Sequence, residues 1–343
     1  MKHLLNTLFV TSEDAYLALD GENVLVKKGD MIAARYPLHL LQGIISFSYA
    51  GASPALMGAC AERSIGLAFC TPHGRFLART SGENNGNVLL RRAQYRMADQ
   101  QDLCCKIASH FLFGKIYNSR KCVERTLRDH KLRVDEQLLS NSSEKLRELS
   151  NSVLSIGAVE SARGIEGVAA TIYFDCFNEM ILNEKESFYF HVRSRRPPMD
   201  RVNALLSYAY SLLSHDCASA LEAVGLDAYV GFLHTDRPGR ASLALDLMEE
   251  LRACFADRFV LSLINNRVVS PSQFAIRESG AVLLDDEGRR AFLKQWQRKK
   301  QDEIAHPFLN ERIPWGLVPH VQALLLARYV RGDLDAYPPF LWK

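Results

Sequence analysis

Residues 81–86, with the sequence SGENNG, divide the chain into two parts with different sequence patterns. Glycine, asparagine and serine favour turns over regular secondary structure, so this polar run predicts a linker over residues 81–87. Before it, short apolar segments alternate with turn signals; after it, the apolar residues recur at helical spacing almost to the end. The pattern predicts an α+β protein, with a small β-rich N-terminal domain over residues 1–80 and a larger all-α domain over residues 88–343.

The first part reads as strands separated by turns. Asp20-Gly21 lies between two apolar segments and indicates a β-hairpin, and Pro72-His73-Gly74 indicates a second turn. Pro54 near the start of residues 54–63 predicts one short helix. The segments with strand-like patterns are 8–10, 15–19, 24–28, 31–34, 43–48, 65–70 and 75–79.

The second part predicts a series of helices and one small hairpin. The hairpin is expected around Ser279-Gly280, between residues 274–277 and 281–284. The predicted helices are 87–99, 102–117, 119–130, 135–158, 161–182, 201–222, 241–263, 284–302 and a last one around 315–332.

Composition excludes several classes of protein. The 343 residues suffice for two domains, and the apolar fraction of 48% and charged fraction of 24% are those of an ordinary globular protein. No apolar run reaches the roughly 18 residues that a membrane-spanning helix needs. Acidic residues follow the first apolar residues too soon for a signal peptide. We therefore expect a cytoplasmic protein with no membrane association.

The eight cysteines form no C-x-x-C pair, and most lie among apolar neighbours. In a long chain without a secretion signal, this pattern predicts buried, reduced thiols rather than disulfides or a zinc site.

The positive charge is clustered although the net charge is only +3. One cluster contains a single acidic residue, Glu124, and the other cluster lies near residue 195. A solvated helix face accounts for one such run, but two runs beside a candidate metal site favour binding to nucleic acid. The clusters are Lys106, Lys115, Arg120, Lys121, Arg125 and Arg128, and then Arg193, Arg195, Arg196 and Arg201.

Residues 231–252, GFLHTDRPGRASLALDLMEELR, combine a histidine, two loop arginines and an acidic helix. Carboxylates beside a histidine can hold a divalent cation, and the planar forks of Arg237 and Arg240 can hold a phosphate. The arginines have an alternative interpretation as partners of Asp236 and Glu250. The combination suggests metal-assisted chemistry on a phosphodiester.

Helical geometry does not decide which acid after His234 faces a metal. Asp246 and Glu250 lie about 40° apart around the helix, whereas Glu249 and Glu250 lie about 100° apart, so those two cannot both point into one small site. The apolar positions that mark the core side are Leu243, Leu247, Leu251 and Cys254. An ordinary solvated acidic face accounts for the same pattern.

Glu166 is a further candidate ligand. It lies between Gly164 and Gly167 on a predicted helix with Ser161 as its N-cap. Each glycine costs about 1 kcal/mol of helix propensity relative to alanine, which indicates close approach of another chain or a ligand. The alternative is a surface glutamate near a helix start.

Taken together, these motifs resemble the CRISPR-associated adaptation integrases, the Cas-one family. The resemblance covers essentially the whole chain, with the β-then-α order, and is specific in the helical half. The closing PPFLWK and the length resemble the subtype I-C branch. The motifs that carry it are RGIEG at 163–167, NALLSYAYSLL at 203–213, GFLHTDRPGR at 231–240 and LALDLMEELR at 243–252.

The resemblance implies a metal site of Glu166, His234 and an acidic residue on the following helix. The third ligand is assigned to Glu249, with Asp246 as an alternative or supporting ligand, and Mg²⁺ or Mn²⁺ suits oxygen ligands with one imidazole. The implied reaction joins spacer DNA 3′-hydroxyl ends to a CRISPR repeat by transesterification, or hydrolyses DNA when water attacks. It needs no ATP, which agrees with the absence of a G-x-x-x-x-G-K-[ST] phosphate loop.

The resemblance also implies partners: double-stranded DNA, a second copy of the chain bound through the β domain, and a small second adaptation protein. The alternatives are a non-specific divalent-metal nuclease and a catalytically silent DNA-binding scaffold subunit. A non-haem iron enzyme is disfavoured, because it normally needs a second histidine. The residues expected to contact DNA are Lys115, Arg120, Lys121, Arg163, Arg193, Arg195, Arg196, Arg237 and Arg240.

Overall fold

The N-terminal part builds two small sheets. A computed structural model describes residues 6–71, 76–80, 82 and 88–343. The strands are β1 (Asn6–Val10), β2 (Ala15–Asp20), β3 (Asn23–Lys28), β4 (Met31–Pro37), β5 (Leu41–Ser46), β6 (Gly66–Cys70) and β7 (Phe76–Arg79). Strands β2, β3 and β4 form an antiparallel meander, and the other four form a sheet in the order β1-β5-β6-β7. Only the β6–β7 pair of that sheet is antiparallel.

Local sequence explains these elements. The predicted hairpin at Asp20-Gly21 is confirmed: Asp20 pairs with Asn23, and Gly21 adopts a φ of 55°, which glycine tolerates without steric cost. The predicted short helix is α1 (Pro54–Glu62), whose first turn is capped by the side chain of Ser53. The second predicted turn, at residues 72–74, lies outside the described residues.

The second part is mostly helical, as predicted. Its helices are α2 (Val88–Ala98), α3 (Gln101–His130), α4 (Glu136–Ser152), α5 (Val159–Asp175), α6 (Phe177–Met180), α7 (Arg201–Ala223), α8 (Ser242–Leu251), α9 (Arg258–Asn265), α10 (Asp286–Gln301) and α11 (Val318–Arg331).

Several of the predicted helix boundaries are wrong, and the helices predicted over 135–158 and 161–182 end early, at Ser152 and Asp175. The predicted helices 102–117 and 119–130 are one helix, α3, because the amide of Asn118 bonds to the Glu250 and Phe340 carbonyls and does not compete for its own backbone. Helix α5 begins at Val159, so Ser161 is not its N-cap. The predicted helix 241–263 is interrupted by a π-helix over Arg252–Asp257, between α8 and α9.

The second part is also not entirely α-helical. The hairpin expected near Ser279-Gly280 is confirmed as β8 (Phe274–Ile276) and β9 (Val282–Leu284), with Gly280 at a φ of 79°. A second hairpin, β10 (Glu303–Ala305) with β11 (Arg312–Pro314), was not predicted. These strands have three residues each, too few to show a period-2 pattern.

Two hydrophobic cores hold the fold together. One lies within the β-rich part, between its sheets and α1. The other fills the helical part and extends to Ile45, Phe47 and Cys70, so the β-rich part packs directly on the helices. The predicted linker 81–87 lies outside the described residues except for Gly82, and the domain boundary stays a prediction.

The eight cysteines are all buried and free of disulfides, as predicted. Across the described ranges, no helix combines the length and apolar character required to cross a membrane.

Candidate functional site

Three helices bring Lys115, Glu166 and Glu249 together. Helix α3 packs against both α5 and α8, and each of the three helices contributes one of these side chains. The Nζ of Lys115 lies 2.5 Å from Oε1 of Glu166 and 2.8 Å from Oε2 of Glu249. Two carboxylates from different helices therefore converge on one position, and an ammonium group lies between them.

His234 completes the cluster, and Asp246 fixes its orientation. The carboxylate of Asp246 accepts hydrogen bonds from the backbone N–H groups of Phe232, Leu233 and His234. Its Oδ1 also lies 2.6 Å from Nδ1 of His234. An Nδ1–H that donates to Asp246 leaves Nε2 as the acceptor, and Nε2 lies 4.0 Å from Oε1 of Glu249.

The two oxygens of Asp246 are thus both occupied by donors from the 232–234 segment. This is the arrangement of a carboxylate that orients a metal-binding histidine. Asp246 therefore contacts the 232–234 segment, whereas Glu249 shares the Lys115 ammonium with Glu166.

The buried carboxylate of Glu249 is stabilised by two neighbouring cations, the first of which is Lys115. Glu249 is 1% exposed, and the second cation near it is Arg252, whose Nη2 lies 3.0 Å from Oε1. Burial alone would raise the pKa of Glu249, but the positive charges of Arg252 and Lys115 outweigh it and lower the pKa to about 2. Both carboxylate oxygens of Glu249 are thus in ion pairs, Oε2 with Lys115 and Oε1 with Arg252, so the carboxylate stays ionised.

The donor atoms of Glu166, Glu249 and His234 suit a hard divalent cation, although these side chains are not grouped closely enough to coordinate one. Within the described part of the chain, no group of three or more His, Cys, Asp or Glu side chains has metal-binding spacing. The ammonium of Lys115 occupies the position between Glu166 and Glu249 and stands in for a cation there. Two carboxylates and one imidazole suit Mg²⁺ or Mn²⁺.

A π-helix shapes the wall beside Glu249. Single-turn π segments often mark functional sites, and this one begins at Arg252. The guanidinium carbon of Arg252 lies 4.9 Å from the ring centroid of Tyr210. The Tyr210 hydroxyl in turn donates to Asp257 at 2.6 Å, and burial raises the pKa of Asp257 to about 6. Arg252 was not among the residues predicted for the site, although its position three residues after Glu249 is that of a helical ion pair.

Glu250 points away from this site. Its Oε1 accepts hydrogen bonds from the hydroxyl of Tyr337 and the amide of Gln322, and its Oε2 accepts one from the Phe340 N–H. Burial raises its pKa to about 7. Asp246, Glu249 and Glu250 are all buried to 1% exposure or less, so the interpretation of a solvated acidic face is wrong.

The segment 337–342 is fixed against α3 and α8. Asn118 donates from its amide to the carbonyls of Glu250 and Phe340, both at 2.7 Å, and accepts from the Trp342 N–H at 2.8 Å. The residue next to Glu249 therefore depends on a distant part of the chain for its hydrogen bonds.

Three of the arginines and lysines expected to contact DNA have partners within the chain. Lys115 is buried between the two glutamates. Arg163 donates to the Leu233 carbonyl at 2.6 Å and so ties α5 to the loop that carries His234. Arg193 donates to Oδ1 of Asn203 at 2.6 Å. These partners position the three side chains within the protein, and their contact with DNA stays a prediction.

The remaining basic residues differ in their accessibility. Arg120 and Lys121 are partly buried and share the carboxylate of Glu124, at 2.6 and 2.9 Å. Arg240 is partly exposed; it does not reach Glu250, whose oxygens are occupied as described above. The exposed members are Arg195, Arg196 and Arg237.

Arg195 and the glycines of α5 define the solvent side of the site. Arg195 lines a small cleft of about 50 Å³ together with Lys115, Glu166 and Arg252. No heavy atom lies within 4 Å of the position that a Cβ would take at Gly164 or Gly167. Among the described residues, no side chain or backbone makes the close approach that these glycines suggested, so the surface beside Glu166 is open there.

Comparison with known proteins finds similar sequences over most or all of the chain. A family model described as CRISPR associated protein Cas1 matches residues 8–298. The chain is 49% identical over 343 residues to CRISPR-associated endonuclease Cas1 1 of Chlorobaculum tepidum, and 47% identical over 347 residues to CRISPR-associated endonuclease Cas1 2 of Rhodospirillum rubrum. Both matches cover 100% of each chain.

Solved structures share the fold. A casposase bound to its integration product superposes with a TM-score of 0.81 at 22% identity, over 98% of this chain and 94% of that one. A Cas1 protein from Thermotoga maritima gives 0.79 at 19% identity, over 97% and 99%. A Cas6-RT-Cas1–Cas2 complex gives 0.81 at 23% identity, over 100% of this chain and 36% of that one.

Proposed function

This chain belongs to the CRISPR-associated Cas1 family, and from that premise we propose that it is a divalent-metal-dependent DNA endonuclease and integrase of CRISPR adaptation. It would join spacer DNA 3′-hydroxyl ends to a CRISPR repeat by transesterification. The observation that carries the proposal is the convergence of Glu166 and Glu249 on one cation position, with Nε2 of His234 4.0 Å from Glu249. The relatives' names support the endonuclease activity.

In this mechanism Glu166, Glu249 and His234 would hold the ion. When bound, Mg²⁺ or Mn²⁺ supplies positive charge that polarises a phosphodiester and stabilises the leaving oxygen. The low pKa of Glu249 keeps its carboxylate ionised at neutral pH. Asp246 holds the imidazole of His234 in the tautomer that presents the Nε2 lone pair.

The substrate would approach from the open side of α5. Glu166 is the more exposed of the two carboxylates, with 26% of its side chain accessible against 1% for Glu249. The bare backbone at Gly164 and Gly167 leaves room for a DNA strand there. A 3′-hydroxyl that attacks a phosphodiester exchanges one ester for another, whereas attack by water gives hydrolysis at the same site.

The partners proposed are DNA, a second copy of this chain and a small second adaptation protein. DNA and a Cas2 protein are supported by two structures with the same fold, the casposase bound to its integration product and the Cas6-RT-Cas1–Cas2 complex. The dimer is supported by β4, an edge strand of its sheet, which exposes 74% of Met31 and 54% of Ile32. Exposed apolar side chains on an edge strand favour association.

The reaction product tests the function. We expect the purified protein, with Mn²⁺ and the second adaptation protein, to transfer a labelled DNA with free 3′-hydroxyl ends into a plasmid that contains the repeat. The matched control carries 3′-dideoxy ends, which lack the nucleophile and should leave the plasmid unlabelled. Cleavage without transfer in every partner combination would favour the alternative, a non-specific metal nuclease.

The exposed arginines should determine the salt dependence of DNA binding. Each phosphate contact adds about 0.9 to the slope of log K against log salt for duplex DNA. We therefore expect Arg195→Gln and Arg237→Gln each to lower that slope by about 1. Arg120→Gln is the matched control, because Arg120 is paired with Glu124. Equal slopes for wild type, Arg195→Gln and Arg237→Gln, measured by fluorescence anisotropy, would remove both arginines from the DNA surface.

A further inference from the structure

Lys115 is the one member of the metal cluster that cannot be a ligand. Its ammonium carries three donors and no lone pair, yet it lies where the two carboxylates converge, at 2.5 and 2.8 Å. The residue is 9% exposed, and its helix, α3, packs against the helices of both glutamates. An ordinary lysine that contacts DNA would lie on the surface with its charge in water.

In the metal-free protein, the Lys115 ammonium balances the negative charge of the two glutamates. Two glutamates that face one point repel each other, and a buried carboxylate without a counter-charge is strongly destabilising. Lys115 and Arg252 supply two positive charges against the two negative charges of Glu166 and Glu249. The carboxylates are therefore held in place before any ion arrives.

The Lys115 ammonium and a divalent cation cannot both lie between the two glutamates. An ammonium and a doubly charged ion within about 4 Å of each other repel strongly in a site of low polarity. The two also compete for the same oxygens, since Lys115 contacts one oxygen of each glutamate. The balance of charge that favours the empty cluster thus becomes an excess of positive charge when the ion enters.

A cleft beside Lys115 gives its side chain room to move. Its side chain lines the cleft of about 50 Å³ that Arg195 and Tyr210 also line, which is large enough for an ammonium group. Lysine carries a compact charge on a flexible four-carbon stem, so the ammonium can turn into the cleft while α3 stays in place. In the cleft it faces the region where a DNA phosphate would lie.

We propose that Lys115 is an exchangeable internal cation: it positions Glu166 and Glu249 in the metal-free protein, and a divalent cation displaces it into the cleft. The inference rests on the proposed function only in requiring that these glutamates and His234 bind the ion. Lys115 is in this view a positioning residue, whose removal strengthens metal binding while weakening the metal-free fold.

Two substitutions at Lys115 should change metal affinity in opposite directions. Lys115→Met removes the competing charge with little change in side-chain length, and we expect Mn²⁺ to bind at least about tenfold tighter than to wild type. Lys115→Arg keeps the charge and adds a planar fork that grips carboxylates more firmly, so we expect Mn²⁺ to bind more weakly. The measurement is titration of the full chain, without DNA, with MnCl₂ by calorimetry or electron paramagnetic resonance.

Thermal melting gives a second readout, which a simple structural role would not reproduce. In EDTA, Lys115→Met should melt below wild type, and saturating MnCl₂ should raise its melting temperature by more than that of wild type. Lys121→Met is the matched control: it removes a partly exposed lysine of the same helix that pairs with Glu124, and it should leave the Mn²⁺ affinity unchanged.

The outcomes separate this inference from the proposed function. Equal or weaker Mn²⁺ binding by Lys115→Met, in a protein whose wild type binds Mn²⁺ and whose Glu249→Gln variant does not, overturns the role of Lys115 alone. Should Lys115→Met fail to fold, the Lys115→Arg titration decides, because tighter or unchanged binding there contradicts competition. Wild-type protein that binds no Mn²⁺ at this cluster overturns both the inference and the metal site.

Discussion

Glu166→Gln and Glu249→Gln are each expected to lower the rate of DNA strand joining by at least about a thousandfold. A bound ion supplies several kcal/mol of charge stabilisation in the transition state, and each step of about 1.4 kcal/mol is a factor of ten in rate. A glutamine keeps the size of the side chain but loses the charge that holds the ion. The measurement is transfer of a labelled 3′-hydroxyl DNA into a repeat-containing plasmid, under single-turnover conditions.

The two variants differ in their expected stability, so a loss of activity can be distinguished from misfolding. Glu249 is buried and holds both Lys115 and Arg252, so Glu249→Gln also leaves two cations without a partner and should lower the melting temperature. The side chain of Glu166 is 26% exposed, so Glu166→Gln should fold and bind DNA nearly as wild type does.

Glu160→Gln serves as the matched control, because it changes a 73% exposed glutamate of the same helix. Strand joining at the wild-type rate by both site variants would contradict the metal site and favour the silent scaffold subunit.

Asp246→Asn should lower the strand-joining rate by about 10- to 100-fold, the usual loss when a carboxylate that orients a metal-binding histidine is changed. Each oxygen of Asp246 accepts two hydrogen bonds. An asparagine NH₂ group must therefore face donors on one side. We expect the free energy of unfolding to fall by about 1–3 kcal/mol, the cost of leaving buried donors unsatisfied.

The comparison of Asp246→Asn with Glu249→Gln assigns the third ligand. If Asp246 only orients His234, its variant retains weakened Mn²⁺ binding and measurable joining, whereas Glu249→Gln retains neither. Asp236→Asn is the control, because Asp236 is an exposed acid of the same loop that accepts one backbone N–H, from Gly231. Equal losses in both site variants would make Asp246 a direct ligand.

Local sequence patterns predicted much of the fold, for reasons that the structure makes plain. The change from strands to helices near residue 81 follows from apolar spacing, which reports which face of an element is buried. Apolar spacing could not identify the core side of α8, because nearly every residue of that helix is buried, polar ones included. A helix surrounded on all sides has no solvent face, so its apolar stripe could not indicate which acid faces the site.

Contacts distant in sequence explain the other errors. Glu250 meets its partners Tyr337 and Phe340 at separations of 87 and 90 residues, and no local motif encodes such a pairing. Arg163 bonds to a carbonyl 70 residues away. From sequence alone, an arginine that grips a backbone carbonyl cannot be distinguished from one that grips a phosphate, because both use the same planar fork.

The attachment of segment 337–342 to Asn118 and Glu250 has a consequence for protein synthesis. The ribosome makes Glu250 long before it makes Tyr337 and Phe340, so a nascent chain that already contains the glutamates and His234 still lacks three donors to the Glu250 carboxylate. An unsatisfied buried carboxylate next to Glu249 disfavours the native packing of α8. A partly translated chain would therefore lack the packing of α8 that holds Glu249 in the site.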